Sequence, residues 1–213
     1  MPVTINGDGT ITGYTPPIAD GSITSAKLAN GAVGTTHLAA NSVTHAKTTG
    51  LQRRISTTVT LPAANSITHN ITTGAKKIEI LVSDVSSANN SNLHLLLGDS
   101  GGIETSGYGH AMGFHRTGTS SREATVSTST AAFSTYGLDS SSYQIWGTWK
   151  LCNPNGNFWY AEHNMWGSLA DDHTFYGNGY KELSGTMTQF KLKTNSGNFD
   201  SGVVTIVETM GDS

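Results

Sequence analysis

Residues 143–166 read YQIWGTWKLCNPNGNFWYAEHNMW, two runs of alternating apolar and polar residues on either side of a turn. The turn is Asn153-Pro154-Asn155-Gly156, and the second run spans Phe158–Trp166. Because successive side chains of a strand point to opposite faces, a period of two predicts strands rather than helices. In the second run either face could be the buried one. In the first run one face holds Tyr143, Ile145, Trp149 and Leu151.

The same period recurs through residues 51–213, where no window has helical periodicity beyond a turn or two. Further strands are predicted at Ser56–Leu61, Ser66–Thr72, Lys77–Val85, Leu93–Leu97, Phe190–Leu192 and Val204–Ile206. About eight short strands separated by turn signals are typical of two packed antiparallel sheets. The predicted fold class is therefore all-β, an antiparallel and jelly-roll-like β-sandwich head. Gly98–Ser142 has the weakest alternation and is predicted as loops with one or two broken strands.

Residues 21–50 contain three copies of a ten-residue repeat, GSITSAKLAN, GAVGTTHLAA and NSVTHAKTTG. The third column is always β-branched, and the eighth is leucine in the first two copies. A unit this short cannot bury its apolar residues alone, because ordering each residue costs about 1–2 kcal/mol of backbone entropy. The repeat therefore predicts a stem in which copies of the same chain bury a common set of axial residues, Ile23, Leu28, Val33, Leu38 and Val43.

Composition excludes several classes of protein. Charged residues make up 13% of the 213-residue chain and the net charge is −3, which argues against nucleic-acid binding through clustered Lys and Arg. No stretch approaches the ~18 apolar residues of a membrane helix, so membrane insertion is not predicted. The N-terminus lacks the basic and apolar regions of a signal peptide. The single cysteine, Cys152, rules out an intrachain disulfide and favours synthesis in a reducing cytoplasm.

Several stretches resemble bacteriophage tail-fibre and virion fibre proteins. The decads are similar to the GSIT-x-x-KLA repeats of fibre stems, and the opening INGDGTITG is similar to the start of phage virion proteins. Leu97–Tyr108 and Lys181–Glu208 resemble a C-terminal domain that is widespread in such fibres, whereas the likeness is thin across Gly109–Ser142. The resemblance implies three chains per fibre, a β-sandwich head and no catalytic residues. Members of this family attach to tails or, less often, to capsids.

The chain is therefore predicted to have three parts. Residues 1–20, which are rich in turn signals and contain Pro16-Pro17, are predicted to anchor the chain to another virion protein. Residues 21–50 are predicted to form the homotrimeric stem, and residues 51–213 the head. The predicted location is the virion, after synthesis in the host cytoplasm.

One motif suggests catalysis but is better explained as a turn. Gly98-Asp99-Ser100-Gly101-Gly102 matches the nucleophile loop of trypsin-like serine proteases, which also needs a histidine base and a buried aspartate. Neither His69 nor His94 lies in the matching context, so no enzymatic activity is predicted. The histidines of the chain show no recognised metal-ligand spacing, so no cofactor or metal site is predicted either. An ion held by three copies of His37 on the stem axis is disfavoured, because the other two repeats carry lysine in that column.

Exposed aromatic side chains are the main functional candidates, because ring faces flanked by polar groups can hold sugar rings and flexible glycans. The predicted ligand-binding residues are Tyr108, His115 and Arg116 in the weakly alternating segment, with Trp146 and Trp166 on strand faces. The alternative is that all four tryptophans lie in the core or in a subunit interface, where aromatic residues are also enriched.

The predicted function is that of a phage virion structural protein, a homotrimeric tail fibre whose head binds a glycan or protein of the host-cell surface. The alternative is a capsid, collar or tail decoration or adaptor protein with no receptor role. The short stem of 30 residues mildly favours that alternative, since a receptor-binding fibre usually needs reach.

Overall fold

The computed structural model describes residues 4–5, 7–8, 11–12, 54–89, 91–116, 122–135, 143–168 and 173–211. Contacts divide the chain into two units, Met1–Thr49 and Gly50–Ser213. In the first unit, β1 (Thr4–Ile5) pairs antiparallel with β2 (Ile11–Thr12). Gly7 and Asp8 form a turn between the two strands.

The anchoring role of residues 1–20 and the trimeric stem of residues 21–50 stay predictions. The axial residues assigned to that stem lie outside the described residues, namely Ile23, Leu28, Val33, Leu38 and Val43.

The second unit consists of two antiparallel sheets. Its strands are β3 (Arg54–Thr60), β4 (Ser66–Asn70), β5 (Ala75–Ser87), β6 (Leu93–Asp99), β7 (Gly102–Ile103), β8 (Tyr108–Arg116), β9 (Arg122–Thr130), β10 (Phe133–Ser134), β11 (Gln144–Asn155), β12 (Phe158–Ser168), β13 (His173–Glu182), β14 (Gln189–Thr194) and β15 (Phe199–Met210). The large sheet has the order β3-β15-β5-β11-β12-β13-β8-β9. The small sheet has the order β10-β6-β14-β4, with β7 paired to β6. The prediction of an all-β sandwich is confirmed.

The inward faces of both sheets contribute to one apolar core. Alternate residues of β6 and β14 are fully buried in it, as are those of β5, β11 and β15 from the large sheet. Each fully buried aliphatic side chain contributes about 1.5–3 kcal/mol, so these strands carry much of the stability of the head. The central members of the core are Ile78, Ile80, Leu93, Leu95, Leu97, Ile145, Trp149, Leu151, Phe190, Leu192, Val204 and Ile206.

The buried face of β12 is the one that carries Trp159, Ala161, His163 and Met165. The residues between them point away from the core, because side chains alternate along a strand. This arrangement settles which of the two faces of β12 is internal, a choice that the sequence pattern leaves open.

The prediction that Gly98–Ser142 is mainly loop is wrong for its central part. Within it, β8 and β9 are nine-residue strands of the large sheet, and β8 pairs along its whole length with β13. The alternation of β8 is weak in the sequence because Gly109 and Gly113 occupy outward positions, where rings from β13 cover them. The rings of β13, a strand distant in the chain, therefore provide the apolar contacts that the side chains of β8 itself do not provide at these positions.

A buried carboxylate connects the two sheets near their β3 and β4 edges. Glu208 of β15 is almost fully buried, and its two oxygens lie 2.8 Å from His69 Nε2 and 2.8 Å from the Thr72 amide nitrogen, which donates a hydrogen bond. Burial alone would raise the pKa of Glu208, but the hydrogen bonds from Thr72 and His69 outweigh it and the pKa is lowered. The charged form of Glu208 is therefore the one that the fold stabilises.

Glu208→Ala is expected to lower the free energy of unfolding by about 3–5 kcal/mol, because it leaves buried polar partners without their acceptor. Denaturant unfolding of the purified protein measures this. The matched control is Glu79→Ala, which breaks the exposed 2.9 Å ion pair with Arg54 and should cost less than about 1 kcal/mol. Equal losses in the two variants would contradict the structural role assigned to Glu208.

Candidate functional site

The outward face of the large sheet carries the exposed aromatic side chains of the described residues. Tyr160 and Trp166 lie on β12, and Tyr176 and Tyr180 lie on β13, with 37–49% of each side chain exposed. Both strands are internal to the sheet, so these rings are flanked by neighbouring strands on each side. Together with Trp146 of β11 they define a surface that we call the aromatic face.

Strand register arranges this face in rows that run across β11, β12, β13 and β8. From β11 to β8, the first row is Trp146, Trp166, Thr174 and His115, and the second row is Thr148, Asn164, Tyr176 and Gly113. The third row is Lys150, Glu162, Asn178 and Ala111, and the fourth row is Cys152, Tyr160, Tyr180 and Gly109. Adjacent rows are two residues apart along each strand, which corresponds to about 7 Å. Aromatic rings therefore occupy the first, second and fourth rows, and the third row is polar.

A cleft of about 310 Å³ lies over the second to fourth rows. Lys150 Nζ and Glu162 Oε1 are 3.3 Å apart in it, and both side chains are about half exposed. Its polar lining also includes Thr148, His163 and the amide groups of Asn164 and Asn178, and Tyr160 and Tyr176 supply ring surface. The cleft thus combines apolar ring faces, hydrogen-bonding amides and an ion pair that leaves no net charge, which suits an uncharged ligand with many hydroxyl groups.

The tyrosines of β13 are held in place by the glycines of β8. A Cβ atom added to Gly113 would lie 2.9 Å from Cζ of Tyr176, and one added to Gly109 would lie 2.7 Å from Cε1 of Tyr180. Each ring therefore covers glycine backbone while about half of its side chain stays exposed. Tyr180 is also stacked on Phe158, with ring centroids 5.6 Å apart. Rings that are already ordered lose less conformational entropy when a ligand binds.

Three of the predicted binding residues meet in the first row. The rings of Trp146 and Trp166 have centroids 5.1 Å apart and are tilted by 40°, and His115 is exposed at the β8 end of the same row. The other two tryptophans, Trp149 and Trp159, are buried in the core. The tryptophans are therefore divided between core and outward face, and for the pair in the first row the alternative to a ligand-binding role is a subunit interface, not the core.

Tyr108 lies in the core instead of on the surface. Its side chain is fully buried; its hydroxyl oxygen accepts a hydrogen bond from the Leu97 amide and the hydroxyl donates one to the Glu104 carbonyl. Burial raises the pKa of Tyr108. This position rules out the predicted contact role of Tyr108. Arg116 ends β8, but its side chain lies outside the described part of the chain, so its role stays a prediction.

The sequence patterns did not identify the β13 side of the aromatic face. Tyr176, Asn178 and Tyr180 alternate outward on a strand that was not predicted. The signal was present as a period of two in HTFYGNGYKE, but glycines at positions 177 and 179 remove the apolar residues that would mark the inward side. In this strand the period of two is visible in the outward tyrosines and not in the inward residues.

The protease-like motif forms a tight turn. Ser100 and Gly101 connect β6 to β7, and Ser100 is exposed. The Asp99 carboxylate accepts hydrogen bonds from Ser184 Oγ and from the Gly101 amide, each at 2.7 Å, and these bonds lower the pKa of Asp99. Asp99 therefore organises the turn, and the interpretation of this motif as a Gly-rich turn is confirmed.

The imidazoles of His163 and His94 are largely shielded from water: His163 is buried on the inward face of β12, and His94 is half-buried on β6. Burial, followed by the nearby His110, lowers the pKa of His163 to about 4. Burial, then Lys193 and His110, lowers the pKa of His94 to about 4 as well. These side chains are therefore neutral at pH 7. Among the residues that the structure describes, no group of three or more His, Cys, Asp or Glu is placed to hold a metal ion.

Comparisons of the chain with protein-family models, with curated proteins and with solved structures found no match. Within the described ranges, no helix is long and apolar enough to cross a membrane.

Proposed function

We propose that this chain is a homotrimeric phage fibre whose head binds a carbohydrate of the host-cell surface through the aromatic face. The observation that supports it is the set of exposed rings on two adjacent internal strands, Tyr160, Trp166, Tyr176 and Tyr180. Sugar rings have apolar C–H faces that pack on aromatic rings, and their hydroxyl groups pair with amides such as those of Asn164 and Asn178.

The ion pair in the cleft favours a glycan over a protein partner. Lys150 and Glu162 sit in the middle of the aromatic face, where a protein partner would remove both from water. The centres of protein interfaces are depleted of charged residues, because removing charges from water is costly. A glycan is itself hydrated and leaves water to bridge between it and the pair. A second copy of this chain is disfavoured for the same reason.

Three copies of the site would compensate for a shallow surface. One exposed site for a sugar binds in the millimolar range, about −4 kcal/mol. Three such sites on one trimer raise the apparent affinity by roughly 10²–10⁴ when they bind the same cell surface. The low charge of the chain is consistent with this role, because a nearly neutral surface limits indiscriminate binding.

Trp166→Ala is expected to lower the affinity of the labelled full-length protein for host cells at least about tenfold. Removing an aromatic side chain that the ligand buries costs about 2 kcal/mol or more of binding free energy. Flow cytometry measures binding, and the melting temperature should change little because the ring is outside the core. The matched control is Leu81→Ala. Leu81 is 40% exposed, as Trp166 is, and lies on the same sheet face on β5.

Two results would contradict the proposed function. The first is equal loss of cell binding in the Trp166→Ala and Leu81→Ala variants. The second is absence of cell binding by the wild-type protein, together with immunolabelling of the head on the shell or collar of the particle. That second result would support the decoration or adaptor role instead.

A further inference from the structure

We propose that the aromatic face binds an interior segment of an extended, uncharged polysaccharide that runs along β12 and β13. This inference rests on the proposed function and specifies the ligand of the same site. Such a polymer would contact the protein along its length, unlike a single terminal sugar held in a closed pocket.

The spacing of the rings is the first argument. Trp166 and Tyr160 are six residues apart on β12, which places them about 20 Å from each other along the strand. Tyr176 lies one row from Trp166, and Tyr180 lies in the row of Tyr160. One sugar ring covers one or two of these side chains at most. Only a chain of several consecutive rings contacts the first, second and fourth rows together.

The polar third row is the second argument. Lys150, Glu162 and Asn178 lie between the aromatic rows and offer both hydrogen-bond donors and acceptors. A chain that crosses from the second row to the fourth meets this row with its hydroxyl groups. Because Lys150 is already paired with Glu162, the row provides no uncompensated charge for an acidic polymer. The row therefore favours an uncharged chain.

Fixed ring positions are the third argument. Tyr176 and Tyr180 lie against Gly113 and Gly109 in the neighbouring strand, so their separation follows the strand repeat. Rings that are fixed relative to one another can contact several sugar rings of one chain together, and little entropy is lost when the contacts form. The glycines act as positioning residues for the two tyrosines.

The experiment titrates the full-length protein with oligosaccharide ladders, from single sugars to long oligomers. The probes are gluco-, manno-, galacto- and N-acetylglucosamine ladders, with a hyaluronan ladder as the acidic counterpart. For the ladder that binds, affinity should rise by about 100-fold from the single sugar to a chain that spans the face, since each aromatic contact adds roughly a factor of five. Hyaluronan should bind more weakly than uncharged chains of equal length.

Two variants localise the effect. Tyr160→Ala should remove the gain from the longest oligomers, because Tyr160 and Trp166 lie at opposite ends of the face. Gly113→Ala should reduce the gain by displacing the ring of Tyr176, whose far end meets the new Cβ. The melting temperature should not fall, since the displaced atoms belong to an exposed side chain and Ala favours a strand more than Gly does.

The possible failures are separable. The inference is wrong if a single sugar binds as tightly as the longest chain, if hyaluronan is preferred, or if no ladder binds while host cells are bound. Each of these outcomes leaves the proposed function intact. A protein that binds neither host cells nor any ladder overturns the proposed function as well.

Discussion

The Val33→Asp variant is expected to be monomeric and to bind host cells with an apparent affinity roughly 10²–10⁴-fold lower than that of the wild type. Val33 is the third-column residue of the second decad. An aspartate there would place three like charges near one axis, where a low dielectric strengthens their repulsion. Affinity for one soluble oligosaccharide should not change, because the aromatic face lies in the head. Mass in solution, cell binding and calorimetric titration measure the three quantities.

Thr35→Asp is the matched control for this substitution. It introduces the same charge two residues away, in a column that is polar in all three decads, Ser25, Thr35 and His45. The control should remain trimeric and should bind cells as the wild type does. A wild-type protein that is monomeric at micromolar concentration would refute the trimeric stem. A trimeric Val33→Asp protein would show that these residues do not form the axis.

The free energy of unfolding of the head is expected to fall steeply as the pH is lowered from about 6.5 to about 4. The pKa of His163 is about 4 in the fold and 6.5 in the unfolded reference. The unfolded chain therefore binds a proton in this window that the folded protein excludes. The stabilising effect is complete above pH 6.5 and is lost as the pH approaches 4. For His163 this loss amounts to about 3 kcal/mol, and His94, shifted in the same direction, adds to it.

His163→Gln should flatten this pH profile, because glutamine does not titrate. Denaturant unfolding at a series of pH values measures the slope. His115→Gln is the matched control, since its imidazole is exposed on the outward face of β8. A profile of the His163→Gln protein with the same slope as that of the wild type would show that this imidazole is not what makes the head sensitive to acid.

The strands with the clearest alternation were predictable. The two runs around Asn153-Pro154-Asn155-Gly156 are β11 and β12, and the inward set that ends with Trp149 and Leu151 is buried as expected. The outward position of Trp146 follows from the same period. These inferences succeed because the order of apolar and polar residues along one strand is a local property of the chain.

The position of Tyr108 and the existence of β13 were not predictable in this way. Tyr108 is buried because Phe133 packs edge-on against it and Lys181 covers its ring, and both come from distant parts of the chain. In β13, glycines at inward positions remove the apolar residues that would reveal the period of two. The ordered positions of the exposed tyrosines follow only from the pairing with β8, which places Gly109 and Gly113 beneath them.

Strand periodicity is encoded residue by residue, so the sequence alone predicts that the described part of residues 51–213 is all-β and that alternate residues of its strongest strands face a core. It did not determine which face of β12 is buried, or that Tyr160 and Trp166 share a surface with Tyr176, Tyr180 and the ion pair of Lys150 and Glu162. These points depend on how the strands pair in the folded protein. Register between strands depends on pairing partners that are distant in the chain, and a shift of one residue would turn every one of these side chains to the opposite face.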